Sequence, residues 1–204
     1  MSRRTVSSNF LAMPNAARRS ERSRRAILNA ALDLVEEVGY ARTSVEAIAA
    51  RAGVGKQTIY RWWPSKGAVL LDALLIPSEG DHGVEPLPDT GDLAADLKVV
   101  LRATVAELEN PRYDAPMRAL ATEILHDPAL HDAWRERIDG PLTRIREARL
   151  RSAQAAGELP ADLDLALAID LVWGPFFHRW LQGSGPLSEA YADAVVDAAL
   201  AGLR

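Results

Sequence analysis

Apolar residues recur at helical spacing along almost the whole chain, and this periodicity limits the possible folds more than any other feature of the sequence. Within residues 21–38, for example, they occupy one helical face through Ile27, Ala31, Leu34, Val35 and Val38. Such spacing produces a single apolar stripe on an α-helix. The alternation that a half-buried β-strand requires is almost absent. The sequence therefore predicts an all-α protein of about nine helices.

The breaks between these periodic segments coincide with residues that end helices. Gly53 and Gly157 follow apolar segments, and glycine commonly follows the last helical turn. Pro64 ends the third segment, and Gly140 and Pro141 interrupt a long one. We expect helices at about 21–38, 45–52, 56–63, 66–76, 92–109, 116–125, 128–156, 162–182 and 187–202.

Charge is distributed unevenly along the chain. Residues 1–67 contain 12 Lys or Arg and 5 Asp or Glu, whereas residues 68–204 contain 12 and 23. Such asymmetry indicates either that one end meets a polyanion or that a basic tail is simply solvated. We expect a flexible basic arm at 1–20, a helix-turn-helix unit at 21–67 and a larger helical unit at 68–204.

Composition excludes several classes of protein and site. The chain contains no cysteine, which excludes disulfides, thiolate zinc sites, iron–sulfur clusters and a cysteine nucleophile. No stretch approaches the roughly 20 apolar residues of a membrane span. Arg3 and Arg4 are not followed by the apolar segment of an export signal. We therefore expect a cytoplasmic protein with no membrane partner.

The second and third predicted helices form a helix-turn-helix candidate. A step of about 100° per residue places Ile59 and Trp63 together on one face of the third helix. The other side and its edges carry a different set of side chains: Lys56, Gln57, Thr58, Tyr60 and Arg61. Their polar groups are of the kinds that contact base edges and phosphates in a DNA major groove. An ordinary polar surface helix is the alternative, because this geometry also occurs in proteins that do not bind DNA.

The residues that flank the candidate motif suit the same interpretation. Thr43 and Ser44 precede the second helix, where the backbone N–H groups of a helix N-terminus bind phosphate. Ser65 and Lys66 repeat this arrangement before the fourth helix. Gly55 permits a sharp turn between the second and third helices. Double-stranded DNA is therefore the expected partner of the N-terminal unit.

Residues 27–71 read ILNAALDLVEEVGYARTSVEAIAARAGVGKQTIYRWWPSKGAVLL and closely resemble the N-terminal domain of TetR/AcrR-type bacterial regulators. The resemblance implies a homodimer of all-helical subunits, most often a repressor, whose N-terminal domains bind DNA and whose C-terminal domains bind an effector and dimerise. The two-fold axis implies a palindromic operator. The DNA-binding residues expected on this basis are Thr43, Ser44, Lys56, Gln57, Thr58, Tyr60, Arg61 and Lys66.

Three positions depart from the pattern of that family. Gly55 stands where the family often has Ser, and Gln57 stands where it often has Gly. Trp62 and Trp63 stand where it often has His and Phe. A base contact by Gln57 thus follows from its amide chemistry rather than from the resemblance. We expect Trp63 to keep the anchoring role of the aromatic residue that it replaces.

The last two predicted helices are unusually apolar and have little polar face. A helix that is apolar nearly all round must be buried on several sides, and a chain of 204 residues offers little surface to cover both. We therefore expect a homodimer through these two helices, with burial inside one chain as the alternative, and we expect a charge at Trp180 to separate the subunits. Residues 117–120, 127–128, 157–159 and 174–179 look like one C-terminal subclass of the same regulators, which supports the dimer.

The predicted ligand of the C-terminal unit is a hydrophobic small molecule, because the candidate lining residues are mostly apolar. These residues are Leu101, Val105, Leu120, Ile124, Trp134, Trp173, Phe177 and His178. For each of them, ordinary core packing is the alternative. A regulator without a small-molecule effector is the other alternative.

A single Glu-x-x-His motif, Glu123 to His126, is the only metal-site candidate that the sequence offers. Di-iron helical bundles use two such motifs together with further carboxylates. We therefore expect no catalytic residue, no metal and no cofactor, and we keep an all-α metal-dependent enzyme as the alternative.

Overall fold

In a computed structural model of the chain, the structure describes residues 15–75 and 85–203, and no β-strand occurs within those ranges. The described residues form α1 (Asn15–Val38), α2 (Val45–Ala52), α3 (Lys56–Tyr60), α4 (Lys66–Leu75), α5 (Leu93–Leu108), α6 (Pro111–Glu123), α7 (Pro128–Trp134), α8 (Gly140–Ala155), α9 (Leu165–Gln182) and α10 (Glu189–Leu203). A π-helical turn, Arg135–Asp139, joins α7 to α8 without a break. When α7, this turn and α8 are counted as one continuous helix, residues 15–75 and 85–203 contain nine α-helices, and the predicted all-α fold is confirmed.

Two boundaries in the N-terminal region differ from the sequence expectation. The first helix begins at Asn15, so residues 15–20 of the expected flexible arm are helical. Residues 1–14 of that arm lie outside the described ranges. The third helix ends at Tyr60 rather than near Trp63. A residue that precedes proline disfavours the helical conformation, and Pro64 therefore shortens this helix.

The sixth helix begins at Pro111, about five residues before the predicted start. Asn110 and Pro111 lie between the predicted helices 92–109 and 116–125, but in the structure they begin the second of these helices. The Asn110 side chain accepts a hydrogen bond from the Arg112 backbone N–H at 3.1 Å and thus caps the helix. Proline is favourable in a first helical turn because its missing N–H is not needed there.

The first of two hydrophobic cores is built by α1 to α4 together with parts of α6 and α7. Ile27, Ile48 and Ile59 of the first three helices are fully buried in it. Leu120 of α6 and Leu130 of α7 belong to the same core. The N-terminal helices therefore pack directly on the C-terminal ones.

The second core is built by α5, α8, α9 and α10. Leu97, Leu101, Leu150 and Phe176 have no exposed side-chain surface there. Tyr113 and Met117 of α6 pack against both cores. The sixth helix therefore lies between the N-terminal helices and the bundle that contains α9 and α10.

Trp180 of α9 is buried within its own chain, and the expectation that a charge there would test dimerisation was wrong. Its side chain is 5% exposed, and its indole Nε1 donates a hydrogen bond to Asp114 Oδ1 at 2.5 Å. The Arg118 guanidinium lies 4.7 Å from the centre of its ring. A charge at Trp180 would therefore disrupt the contact between α6 and α9 rather than a subunit interface.

Within the described ranges, none of the helices combines the length and the apolar character that crossing a lipid bilayer demands.

Candidate nucleic-acid interface

The second and third helices meet in a short turn that local sequence dictates. Ser44 caps α2 by accepting a hydrogen bond from the Ala47 backbone N–H at 3.1 Å. Gly53 ends α2 in the left-handed conformation, with φ of 66°, which a residue without Cβ adopts at little cost. Gly55 then precedes α3 in an extended conformation. The predicted helix-turn-helix is therefore present, but the turn depends on the left-handed Gly53 rather than on Gly55, whose conformation is open to any residue.

Two large side chains anchor α3 to the first core, as the helical spacing predicted. Ile59 has no exposed surface and Trp63 is 4% exposed. The Trp63 indole Nε1 donates a hydrogen bond to Asp72 Oδ2 of α4 at 2.8 Å. The anchoring role expected for Trp63 is thus confirmed, and its single polar atom is satisfied by a buried carboxylate.

The opposite face of α3 presents polar side chains to solvent. Lys56, Gln57, Tyr60 and Arg61 are exposed, and Thr58 is half-buried at the edge of this face. The Lys56 ammonium forms an ion pair with Glu46 of α2 and lies 5.4 Å from the centre of the Tyr60 ring. These five residues form a contiguous polar surface on a rigidly anchored helix, which is the arrangement that a major groove accommodates.

The charged side chains on the α3 surface are held only by exposed contacts. The hydrogen bond from Lys56 lowers the pKa of Glu46, so this pair is fully ionised at neutral pH. Both groups are solvent-exposed, and such pairs contribute little to stability. Lys56 can therefore exchange its partner for a phosphate at small cost. Arg61 lies 5.3 Å from the centre of the Trp62 ring, an exposed stacking contact that leaves its N–H groups available.

The flanking residues divide into exposed and enclosed groups. Ser44 is exposed at the N-terminus of α2, whereas Thr43 is buried and its hydroxyl donates a hydrogen bond to the Gly39 carbonyl at 3.0 Å. The Lys66 ammonium donates hydrogen bonds to the carbonyls of Tyr40 and Thr43 at 2.9 and 3.1 Å. Two of the three donors of Lys66 are therefore already used to hold the turn before α2.

Sequence reasoning did not identify Asp72 as part of this region. It occupies the middle of α4, within the otherwise apolar run 69–75, and it is 9% exposed. A lone carboxylate within a buried apolar run requires partners. That feature was the available signal for its role.

The structure does not bring the eight predicted effector residues together in one place. Leu101, Val105, Trp173 and Phe177 belong to the second core, whereas Leu120, Ile124 and Trp134 belong to the first. His178 is exposed on α9. The helix α6, which touches both cores, separates the two apolar groups.

Glu123 and His126, the residues of the single Glu-x-x-His motif, lie at the end of α6 and in the turn after it. Glu123 is near the buried Tyr40 hydroxyl, and burial together with this carboxylate raises the pKa of Tyr40 well above its usual value. Across residues 15–75 and 85–203, no three acidic or histidine side chains come close enough to form a metal site.

The amino-acid sequence matches two family descriptions in succession. Residues 27–73 match "Bacterial regulatory proteins, tetR family". Residues 87–199 match "Tetracyclin repressor-like, C-terminal domain". The first match spans α2 and α3, and the second spans most of the helices that follow.

Relatives extend this similarity over nearly the whole chain. The uncharacterized HTH-type transcriptional regulator YdeS of Bacillus subtilis is 34% identical, covering 91% of this chain and 92% of its own length. The DNA-binding transcriptional repressor TetR of Mycobacteroides abscessus is also 34% identical, covering 88% of this chain and 92% of its own length.

Solved structures show the same arrangement of helices. The TetR family transcription regulator SCO0332 has a TM-score of 0.67 and 33% identity, covering 89% of this chain and 98% of its own. The flavonoid-responsive regulator FrrA has a TM-score of 0.62 and 25% identity, covering 90% of this chain and 95% of its own. FadR from Bacillus subtilis, solved in complex with stearoyl-CoA, shares the fold with a TM-score of 0.64 at 19% identity. The match covers 88% of this chain and 98% of FadR. Together with the helix-turn-helix geometry, these similarities establish that the chain belongs to the TetR family of helix-turn-helix transcriptional regulators.

Proposed function

We propose that the protein is a cytoplasmic repressor that binds a palindromic operator as a homodimer and leaves it when a small molecule binds. The observation that carries the DNA-binding part is α3, whose exposed polar face is backed by the buried Ile59 and Trp63. In this proposal residues 21–67 bind DNA and residues 68–204 bind the effector and dimerise. The proposed DNA-binding residues are Thr43, Ser44, Lys56, Gln57, Thr58, Tyr60, Arg61 and Lys66.

The roles of these residues differ in this proposal. Exposed side chains of α3 reach base edges, because the side chains of a recognition helix supply the sequence-reading contacts. Ser44 and the start of α2 contact phosphate. Thr43 and Lys66 act mainly by fixing the turn before α2, since their side-chain donors already bond to backbone carbonyls.

The proposed dimer forms through α9 and α10. Three leucines of α9, Leu167, Leu171 and Leu181, are 51%, 41% and 37% exposed. On α10, Ala194 and Ala198 are exposed one turn apart, and small side chains let a neighbouring helix approach closely. Exposed leucines on α9 together with exposed small residues on α10 favour an isologous contact with a second copy of the chain.

The proposed effector is a hydrophobic small molecule that enters beside α6. Because α6 lies between the two apolar groups of candidates and packs against both cores through Tyr113 and Met117, such a ligand reaches both groups only by displacing α6. The likeness to FadR and FrrA supports ligands of this apolar or aromatic kind. The proposed lining remains Leu101, Val105, Leu120, Ile124, Trp134, Trp173, Phe177 and His178.

A binding titration against the DNA upstream of the protein's own gene tests the proposed function. We expect tight binding that depends on sequence and weakens steeply as salt is raised, because phosphate contacts release counterions. Equal, weak binding to that DNA and to scrambled DNA of the same length would contradict a specific operator there, and selection from genomic fragments would then test the remaining sequences.

Replacement of Arg61 by alanine is expected to relax sequence preference. If the guanidinium reads a base edge, discrimination at that base pair should fall by about 1–3 kcal/mol, with a smaller change in binding to scrambled DNA. Competition titrations with single-base-pair variants of the operator measure this loss.

Arg51→Ala provides the matched control for Arg61→Ala. It removes the same charge from the same domain, but the Arg51 guanidinium is held by both carboxylate oxygens of Glu37 at 2.8 and 2.7 Å. We expect this variant to retain wild-type discrimination. Equal losses of discrimination in the two variants would refute a reading role for Arg61.

A further inference from the structure

The Asp72 carboxylate of α4 is the meeting point of three separate parts of the chain. Its Oδ2 accepts hydrogen bonds from the Trp63 indole at 2.8 Å and from the Arg24 guanidinium of α1 at 3.3 Å. Its Oδ1 accepts a hydrogen bond from Arg137 in the π-helical turn between α7 and α8. One buried side chain therefore joins the first helix, the residue that anchors α3 and the C-terminal helices.

The position of Trp63 makes this junction relevant to DNA binding. Trp63 comes two residues after Arg61, and its buried ring fixes the end of the α3 segment. A hydrogen bond from a buried indole to a carboxylate restricts both the position and the rotation of the ring. The orientation of Arg61 and Tyr60 therefore depends on where Asp72 holds Trp63.

The π-helical turn that carries Arg137 is itself a specific feature. Such turns are rare, and they often mark functional sites within helices. Gly140 follows this turn, and a Cβ added at Gly140 would lie only 2.9 Å from the backbone carbonyl oxygen of Arg135. The absence of a side chain at residue 140 thus permits the backbone path that brings Arg137 to Asp72.

Asp72 is ionised at neutral pH, so its hydrogen bonds from Arg137, Arg24 and Trp63 are charge-assisted. Burial alone would raise its pKa, but the hydrogen bonds from Arg137, Trp63 and Arg24 outweigh this effect, and the net result is a lowered pKa. The carboxylate also faces a surface cleft of about 490 Å³ that is lined by Arg24, Arg61, Trp62 and Trp63 among others. The junction is consequently linked to the edge of the proposed DNA-binding surface.

We propose that Asp72 is a positioning residue for the recognition helix α3, and that the C-terminal helices set its position through Arg137. This inference rests on the proposed function, because it specifies how the state of the C-terminal unit reaches α3. The Arg137 side chain is 40% exposed, and Asp72 keeps its hydrogen bonds from Trp63 and Arg24 when Arg137 is replaced. We therefore expect replacement of Arg137 to change the position of Trp63 without unfolding the chain.

The primary test compares Arg137→Gln with Arg135→Gln in the full-length protein. Both variants remove one charge from the same turn, but Arg135 is exposed and does not bond to Asp72. Arg137→Gln is expected to move the indole ¹⁵N–¹H resonance of Trp63, assigned with Trp63→Phe, and to weaken specific operator binding about fivefold or more. Arg135→Gln is expected to leave both at wild-type values, and Arg137→Lys is expected to restore most of the wild-type behaviour.

A second variant tests the turn without changing any charge. Gly140→Ala should displace the backbone of the π-helical turn, because its new Cβ would meet the Arg135 carbonyl, and it should move the Trp63 resonance as Arg137→Gln does. The inference is overturned if Arg137→Gln and Gly140→Ala both leave the Trp63 resonance unchanged, or if Arg135→Gln moves it equally. Failure of the wild type to bind any operator would refute the proposed function, whereas the resonance would still report on the junction.

Discussion

Replacement of Leu171 by glutamate is expected to convert the protein to monomers and to lower operator affinity by about 100-fold or more, because the gain from binding two half-sites together is lost. Leu171 is 41% exposed on the face of α9 that also carries Leu167. In a two-fold symmetric interface the same patch faces itself. Two glutamates would thus be brought together in an apolar contact, where an unpaired charge is strongly unfavourable.

Sedimentation equilibrium measures the assembly state, and a titration with the full palindrome and with one half-site measures the affinity. Leu125→Glu is the matched control, since Leu125 is 74% exposed in the turn after α6, away from the proposed interface. We expect Leu125→Glu to remain dimeric with wild-type operator affinity. If Leu171→Glu also remains dimeric, the interface does not include this face of α9.

Most of the fold could be predicted because its determinants are local. The apolar stripe of α1 and the glycine after α2 each act within a few residues and are found as predicted, and the Ser44 cap of α2 is equally local. Helix boundaries were less predictable where one residue has two possible roles. Asn110, for example, directly follows Glu109, the C-cap residue of α5, and itself caps α6, so local sequence alone does not exclude a longer connection.

The exposed face of α3 could be predicted from the sequence, but the buried contacts that hold this helix in place could not. Helical geometry alone places Gln57 and Arg61 opposite Ile59. By contrast, the partners of Trp63 and Lys66 are 9 and 23 to 26 residues away in sequence. Such contacts depend on how α1, α4 and the π-helical turn pack together, and a one-dimensional pattern does not contain that information.

The predicted effector residues also show that a sequence pattern does not specify which helices pack together. Leu120 and Leu101 both occupy apolar helical faces, but they belong to different cores. Periodicity identifies which residues are buried without stating against which helix they pack. Seven of the eight predicted effector residues therefore lie in or against two separate cores, and His178 is exposed.

A buried cluster of charged residues in the C-terminal unit was not expected from the sequence. Asp96 of α5 and Arg149 of α8 are each 3% exposed, and the Arg149 Nη2 to Asp96 Oδ2 distance is 2.8 Å. Asp96 also accepts hydrogen bonds from the Thr90 backbone N–H and hydroxyl at 3.0 and 2.7 Å. Arg149 additionally donates a hydrogen bond to the Pro88 carbonyl at 2.9 Å. The cluster therefore fixes the segment that leads into α5 against α8.

Replacement of Asp96 by alanine is expected to reduce the free energy of unfolding by about 3–5 kcal/mol, because removing one member of a buried pair leaves the charge of the other largely uncompensated. Denaturant unfolding followed by circular dichroism measures this loss. The double variant Asp96→Leu with Arg149→Met removes both charges and is expected to recover most of it, since apolar replacements of buried pairs are often nearly neutral. A double variant as unstable as Asp96→Ala would show that Thr90 and Pro88, rather than the ion pair, carry the effect.

The same carboxylate is expected to contribute to acid unfolding, and Asp96→Asn isolates that contribution. Burial alone would raise the pKa of Asp96, but the hydrogen bonds from Thr90 and Arg149 outweigh it and the pKa is lowered in the folded state. The stabilisation is therefore fully present above the unfolded-state value of about 3.9 and is lost as pH falls through the lower folded-state pKa. Asp96→Asn should be less stable than wild type at pH 7, and the difference should shrink as the pH is lowered below about 4. A difference that stays constant from neutral to acidic pH would mean that the charge of Asp96 does not stabilise the fold, because an ionised carboxylate with a depressed pKa must lose its advantage on protonation.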